Sequence, residues 1–443
     1  MTKLRQWWQD INASYWFLPA LFSVLALFLA LGTIYLDRIG WSERLTDLPQ
    51  IIPARPEGAS NMLTVIAGSM IGTAATVFSI TIAAVAYASG NYGPRLLTNF
   101  MEDRGNQFSL AIFISTFVYA ITVLRSVRAE DEAAASIEDA VATSLPGFVP
   151  QLSLLVAYAL MGLSVAVLVF FLNHIPASIR INTVLKDIGA RLIAKVKDRF
   201  PDKDSGIEPE NRPEGIPIRA HGTGYIQIID YDALDQIAGD RDCHIVMAVR
   251  TGDFVHNEMI IAYWADESDE DAEEECPDGE VRDCFALGSR RTPGQDLQFL
   301  IDELVEIGLR ALSPGINDPF TAITALHWLG AATAELGGRD LRIRVNGHDD
   351  PHEDRVVTLD DDFSHYVRRG FGSIRSGVAT NRIAALAMFD ALLNARGSLK
   401  NESREKILRD EGELLVRQAR EHLLGPELET VEARYARFDH AFS

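Results

Sequence analysis

Three stretches of this 443-residue chain hold residue types whose spacing could do chemistry. The first is Asn-Gly-His-Asp-Asp-Pro-His-Glu-Asp at 346–354, with two histidines, four residues apart, among four carboxylates. Imidazole and carboxylate are the ligands a zinc ion takes, but Pro351 denies the regular helix that would set His348 and His352 on one face. The stretch reads as an exposed charged tip. The second, residues 266–283, carries eleven acids and one arginine. Divalent-cation capture is the chemical reading. The stretch lacks the alternation and turn glycine of an EF-hand loop, so it reads as a solvated loop. The third is Ser313-Pro314-Gly315-Ile316-Asn317-Asp318-Pro319. Pro314 ends one helix by barring the α region to Ser313. Gly315 suits a left-handed turn. Asp318 and Pro319 are the N-cap and first residue of the next helix. Two readings stand: a tight corner between helices, or a polar or anion site made by Asn317, Asp318 and the free amides of the new helix.

No nucleophile motif, metal quartet or phosphate loop occurs; Gly222-x-Gly224 lacks the third glycine and the following helix. No catalytic residue, metal ligand or cofactor is expected. A lone His174 reads as a hydrogen-bonded anchor.

The elements that carry these stretches divide the chain in two. Apolar runs at about 16–36, 63–89, 108–124 and 152–172 read as four transmembrane helices. The second is unusual. Gly68 and Gly72 form a G-x-x-x-G step, Ala75, Ser79 and Ala83 continue small residues, and Thr73, Thr76 and Thr81 add hydroxyls. Such a face lets helices approach closely. It serves packing within one chain, or it lines a central axis in an oligomer, with Gly68 and Gly72 permitting contact and Thr76 and Ser79 facing a path. No Asp, Glu, Lys or Arg falls mid-span, which counts against an ion-coupled pump but not against a passive pore.

Residues 1–200 hold 15 Lys+Arg and 14 Asp+Glu, whereas residues 201–443 hold 26 and 48. The second half is therefore strongly acidic, which argues against nucleic acid and anionic lipid as partners. Three cysteines, Cys243, Cys276 and Cys284, fit a reducing compartment. Ten basic residues flank the spans on the side of the termini and five on the other, placing both termini in the cytoplasm.

After a helical extension and linker (177–217), residues 218–288 read as a β-rich subdomain. Strands are expected at 224–229, 244–249 and 258–264, with a helix at 231–238 capped by Asp230. Residues 289–443 read as mainly helical, with helices at 296–312 and 319–336, a hairpin of 341–345 with 355–359, and further helices at 362–376, 379–396, 402–424 and 427–440.

Ala67-Gly68-Ser69-Met70-Ile71, Val77-Phe78-Ser79-Ile80-Thr81, Pro94-Arg95-Leu96-Leu97, Thr116-Phe117-Val118-Tyr119, Gly224-Tyr225-Ile226-Gln227, Arg291-Thr292-Pro293 with Gln295-Asp296, and above all Arg310 through Pro319 resemble the bacterial predicted-membrane-protein family catalogued as domain of unknown function 2254. The resemblance implies the four-span plan and that the 313–319 break belongs to the family's shared design. It implies no activity. The family tends to carry a histidine pair where Asn173-His174 stand, and a Gly-x-Pro-Leu turn where this chain has His256-Asn257-Glu258-Met259.

The expectation is an α-helical integral membrane protein of four transmembrane helices (1–176) followed by an α+β cytoplasmic region, in the bacterial inner membrane. Its expected function is that of a homo-oligomeric, channel-like protein with a cytoplasmic regulatory domain. The alternatives are a scaffold or sensor that binds a cytoplasmic protein and, third, a membrane-bound enzyme.

Overall fold

A computed structural model describes residues 14–41, 55–93, 103–128, 148–200, 215–266, 278–343, 345 and 354–442. Most of the 266–283 acidic stretch and nearly all of the His348/His352 tip at 346–354 lie outside them, and within the acidic stretch Asp278–Asp283 form a short helix where a loop is expected. The chain divides into two compact units, one of residues 9–90 and 94–180, the other of 1–8, 91–93 and 181–443.

The first unit is made of four helices long and apolar enough to cross a membrane: α1 (Phe17–Arg38), α2 (Pro56–Tyr92), α3 (Arg104–Leu124) and α4 (Gln151–Ser178). α3 packs along α1 and α4. Their shared core holds Ala30, Leu63, Ile66, Val77, Phe113, Tyr119, Ala157 and Phe171. Two helices exceed their apolar runs. α2 starts at Pro56, because a proline at the first helical position has no amide to waste, and Ala59 N already bonds Arg55 O at 2.9 Å. α4 runs through Pro176, which costs one backbone bond; the turn closes again where Ile179 N reaches Ile175 O at 3.3 Å.

The second unit begins with α5 (Ile181–Arg199). Its β-rich part contains β1 (Ile216–Arg219), β2 (Gly224–Ile229), α6 (Tyr231–Asp240), β3 (Cys243–Met247), β4 (Phe254–Val255), β5 (Ile260–Asp266), α7 (Asp278–Asp283) and β6 (Phe285–Gly288). Asp230 caps α6 as its spacing predicts, accepting from Ala233 N at 3.3 Å. Among the described residues, the strands form one sheet in the order β1-β5-β3-β7 and another in the order β4-β2-β6. β1 begins in the last two residues of what reads as linker and continues into the expected β-rich subdomain. β7 (Val356–Val357) corrects the expected hairpin: it pairs in parallel with β3, Val356 opposite Ile245. Residues 341–343 form no strand, because Ile343 N is taken by the Asp360 carboxylate at 2.7 Å instead of by a ladder carbonyl.

α8 (Leu297–Ala311) and α9 (Pro319–Gly337) flank the 313–319 break. The remaining elements are α10 (Phe363–Val367), a π turn at Arg368–Gly372, α11 (Ser373–Val378), α12 (Arg382–Arg396), α13 (Glu402–His422) and α14 (Pro426–Ala441). α9 packs on α5, α8 and α12. Gly189 of α5 takes the face of Trp328 where any Cβ would collide with the ring. Arg404 of α13 is fully buried. It donates to the carbonyls of Gly337 at 3.1 Å and Arg339 at 2.8 Å, closing the end of α9.

Candidate functional site

The covered face of α2 is made by Leu63, Ile66, Met70, Ala74, Val77 and Thr81. Gly68, Gly72, Thr76 and Ser79 lie on the opposite, exposed face. Among the described residues, a Cβ built at Gly68 or Gly72 meets nothing within 4 Å. Thr76 Oγ1 donates to Gly72 O at 3.0 Å and Ser79 Oγ to Ala75 O at 2.8 Å, so both hydroxyl protons are spent on the helix itself. Phe78, Ile80 and Ile82 are also exposed. The structure thus brings the four small residues together on one face, and the core of the described residues does not cover that face.

The helix break spends its polar groups on its own geometry. Ser313 Oγ donates to Arg310 O at 2.6 Å, and Asn317 N and Asp318 N reach Ser313 O and Ala311 O at 2.9 and 2.8 Å. Asp318 accepts from Thr321 N at 3.2 Å and from Thr321 Oγ1 at 2.6 Å, with Pro319 opening α9. The left-handed residue is Asn317, at φ 50°, not Gly315. Asparagine tolerates that region because its short side chain is compatible with it. Pro314, Gly315, Ile316 and Asn317 are exposed.

Two polar junctions at the ends of the apolar helices escaped the sequence reading. Asp37, in the last turn of α1, is buried and caps α4 from another helix. Its carboxylate accepts from Leu152 N at 2.9 Å, Ser153 N at 3.0 Å and Ser153 Oγ at 2.8 Å. Tyr119 of α3 joins in, donating to Ser153 O at 3.1 Å and sharing a 2.9 Å bond with Thr33. At the other end, His174 Nε2 lies 2.7 Å from Asp103, whose second oxygen caps α3 through Gly105 N at 2.9 Å. Gly105 is needed there, since a Cβ would stand 2.5 Å from His174 Nε2. The one signal in the sequence was that α4 starts after Pro150, which has no side-chain cap to offer.

In the second unit a half-buried ionic and hydrogen-bonding network joins the β-rich and helical parts. Arg291 bridges Asp296 and Asp302, and Arg369 reaches Asp302 at 2.7 and 2.8 Å. Burial pushes the Asp302 carboxyl up, but Arg369 and Arg291 outweigh it and hold it below its ordinary value. Arg250 and Gln298 meet on Asp361. Gln295 spans Ile229 of β2, accepting from its amide at 2.9 Å and donating to its carbonyl at 3.0 Å. Burial pushes Asp360 up to about 6, against the lowering pull of its Thr358 and Ile343 bonds. Arg291, Gln295 and Asp296 are thus tied into scaffold contacts. Among the described residues, no group of three His, Cys, Asp or Glu side chains is placed to hold a metal.

A family profile described as "Predicted membrane protein (DUF2254)" matches residues 12–394. An uncharacterized protein of Mycobacterium bovis and one of Mycobacterium tuberculosis are each 29% identical over 376 residues, covering 82% of this chain and 68% of their own. No solved structure matches.

Proposed function

We propose a function for this chain, which belongs to the DUF2254 family of predicted membrane proteins, on the geometry of α2: it assembles into a homo-oligomer through its second span and acts as a channel-like protein. One observation carries the reading. Gly68, Gly72, Thr76 and Ser79 form a strip of small residues on the face of α2 that the core of the described residues leaves open. In a bilayer, lipid tails match large apolar side chains in dispersion, but a strip of small residues is covered best by another helix backbone. Around an axis of such helices, Thr76 and Ser79 offer oxygen lone pairs to a polar path without placing a charge in it. The second unit is the regulatory part. The Lys and Arg excess near the termini supports a bacterial inner-membrane protein with both termini and the second unit in the cytoplasm.

Native mass spectrometry of the protein in lipid nanodiscs tests the reading. The expected result is a closed assembly of three or more chains that passes small solutes in liposomes, with both properties lost in Gly72→Leu. A clean monomer would overturn it and favour the scaffold reading, in which the second unit captures a cytoplasmic protein.

A further inference from the structure

The 313–319 break leaves a question that its corner geometry does not answer. It displays large apolar side chains at an exposed tip: Phe320 is 72% exposed and Ile316 40%. Packing inside the unit uses neither fully.

The place of this tip follows from the packing of α5, α8 and α9. Gly189 of α5 packs on Trp328 of α9. Eleven residues further along each segment, just past the ends of the two helices, Arg339 Nη1 donates to Phe200 O at 2.5 Å. The two helices therefore run parallel in register. Eight residues before the Gly189–Trp328 contact, about 12 Å along either helix, stand Ile181 and Phe320. Phe320 is level with the first residue of α5. α8 runs the other way, since Lys195 and Arg199 near the end of α5 reach the carbonyls of Gly294 and Gln295 just ahead of it. Its C-terminal end and the break thus also lie at the Ile181 end. Only Ile179 and Arg180 separate Ile181 from Ser178, the last residue of α4.

We propose that residues 314–320 form a lipid-contacting wedge, with Ile316 and Phe320 entering the interfacial layer of the leaflet from which the chain emerges after α4. The inference rests on the apolar helices spanning a bilayer and is independent of oligomer or channel. The surrounding unit is acidic, so the wedge engages through its apolar side chains and needs no anionic headgroup. The left-handed Asn317 and the Asp318 cap hold the tip in a fixed shape, so it is ordered before it meets lipid.

Site-directed spin labelling of the full chain in phosphatidylcholine nanodiscs tests this. Cys276→Ser leaves the buried Cys243 and Cys284, and the background labelling of that variant sets the baseline. Nitroxides are then placed by Phe320→Cys and, as a second position, Ile316→Cys. Leu424→Cys, at a side chain 81% exposed on the α13–α14 connection, is the aqueous reference. The expected result is several-fold greater collision with oxygen than with a water-soluble nickel chelate at 320 and 316, relative to 424. Nickel accessibility equal to that at 424 would overturn the proposal. Shielding from both reagents would also overturn it, because the tip would then be covered by protein. A monomer in the companion mass spectrum, with lipid contact intact, would overturn only the assembly reading.

Discussion

Asp360 shows how much a single buried carboxylate does here. Its neighbours are the Thr358 hydroxyl at 2.7 Å and the Ile343 amide at 2.7 Å, and burial raises its pKa to about 6 from 3.8. A raised carboxylate binds its proton more tightly in the folded state than in the unfolded one. Its contribution is therefore full below the unfolded value and lost as pH rises through the folded one, a swing of about 3 kcal/mol. Asp360→Asn keeps an acceptor for Ile343 and can donate to Thr358, so its stability is expected to change less between pH 4 and 6. Chemical denaturation of the full chain at several pH values checks this; an unchanged slope between wild type and variant would count against it. Asn317 gives a second test at this scale. Asn317→Gly is expected to be nearly neutral, whereas Asn317→Val is expected to cost about 1–2 kcal/mol, since a β-branched residue resists φ 50°. Equal melting temperatures for the two variants would mean that the corner relaxes without the left-handed turn.

Among the elements, the junctions at the ends of the apolar helices matter more than their middles. α4 has no side-chain cap of its own; Asp37 of α1 supplies one across 115 residues of chain. A capping side chain is worth about 1 kcal/mol, and this one also accepts a hydroxyl and is buried. Asp37→Ala is expected to lower stability by about 2 kcal/mol or more, leaving the α4 amides unmet. Thermal unfolding in detergent micelles measures it, with a shift within experimental scatter as the contrary outcome. Asp103 plays the matching part for α3 and ties that helix to His174, so the histidine that reads as a lone anchor has a definite partner. In the second unit, the parallel pairing of β7 with β3 and the Gln295 bridge to β2 connect segments that sequence order keeps apart.

For the whole molecule, the decisive variant is Gly72→Leu. Among the described residues nothing lies within 4 Å of a Cβ at that position, so the single chain is expected to keep its melting temperature and helix content. Assembly is expected to fail, because a leucine obstructs the strip that another helix would approach. A variant that still assembles would remove the strip from the interface. The sequence by itself determined the four apolar runs, the neutral first half and acidic second half, and the local caps at Asp230 and Asp318. These are set within a few residues by apolar length, charge count and the reach of a short side chain. The family resemblance was likewise legible in the run from Arg310 to Pro319. Only the tertiary structure decided which face of α2 the chain covers, because helical spacing groups Gly68, Gly72, Thr76 and Ser79 but cannot choose between two apolar faces. It likewise decided that Asp37 meets Ser153, that Asp103 meets His174 and that Phe320 stands level with Ile181. Those relations join residues 71 to 139 positions apart, and they arise from how helices pack, which local spacing does not encode.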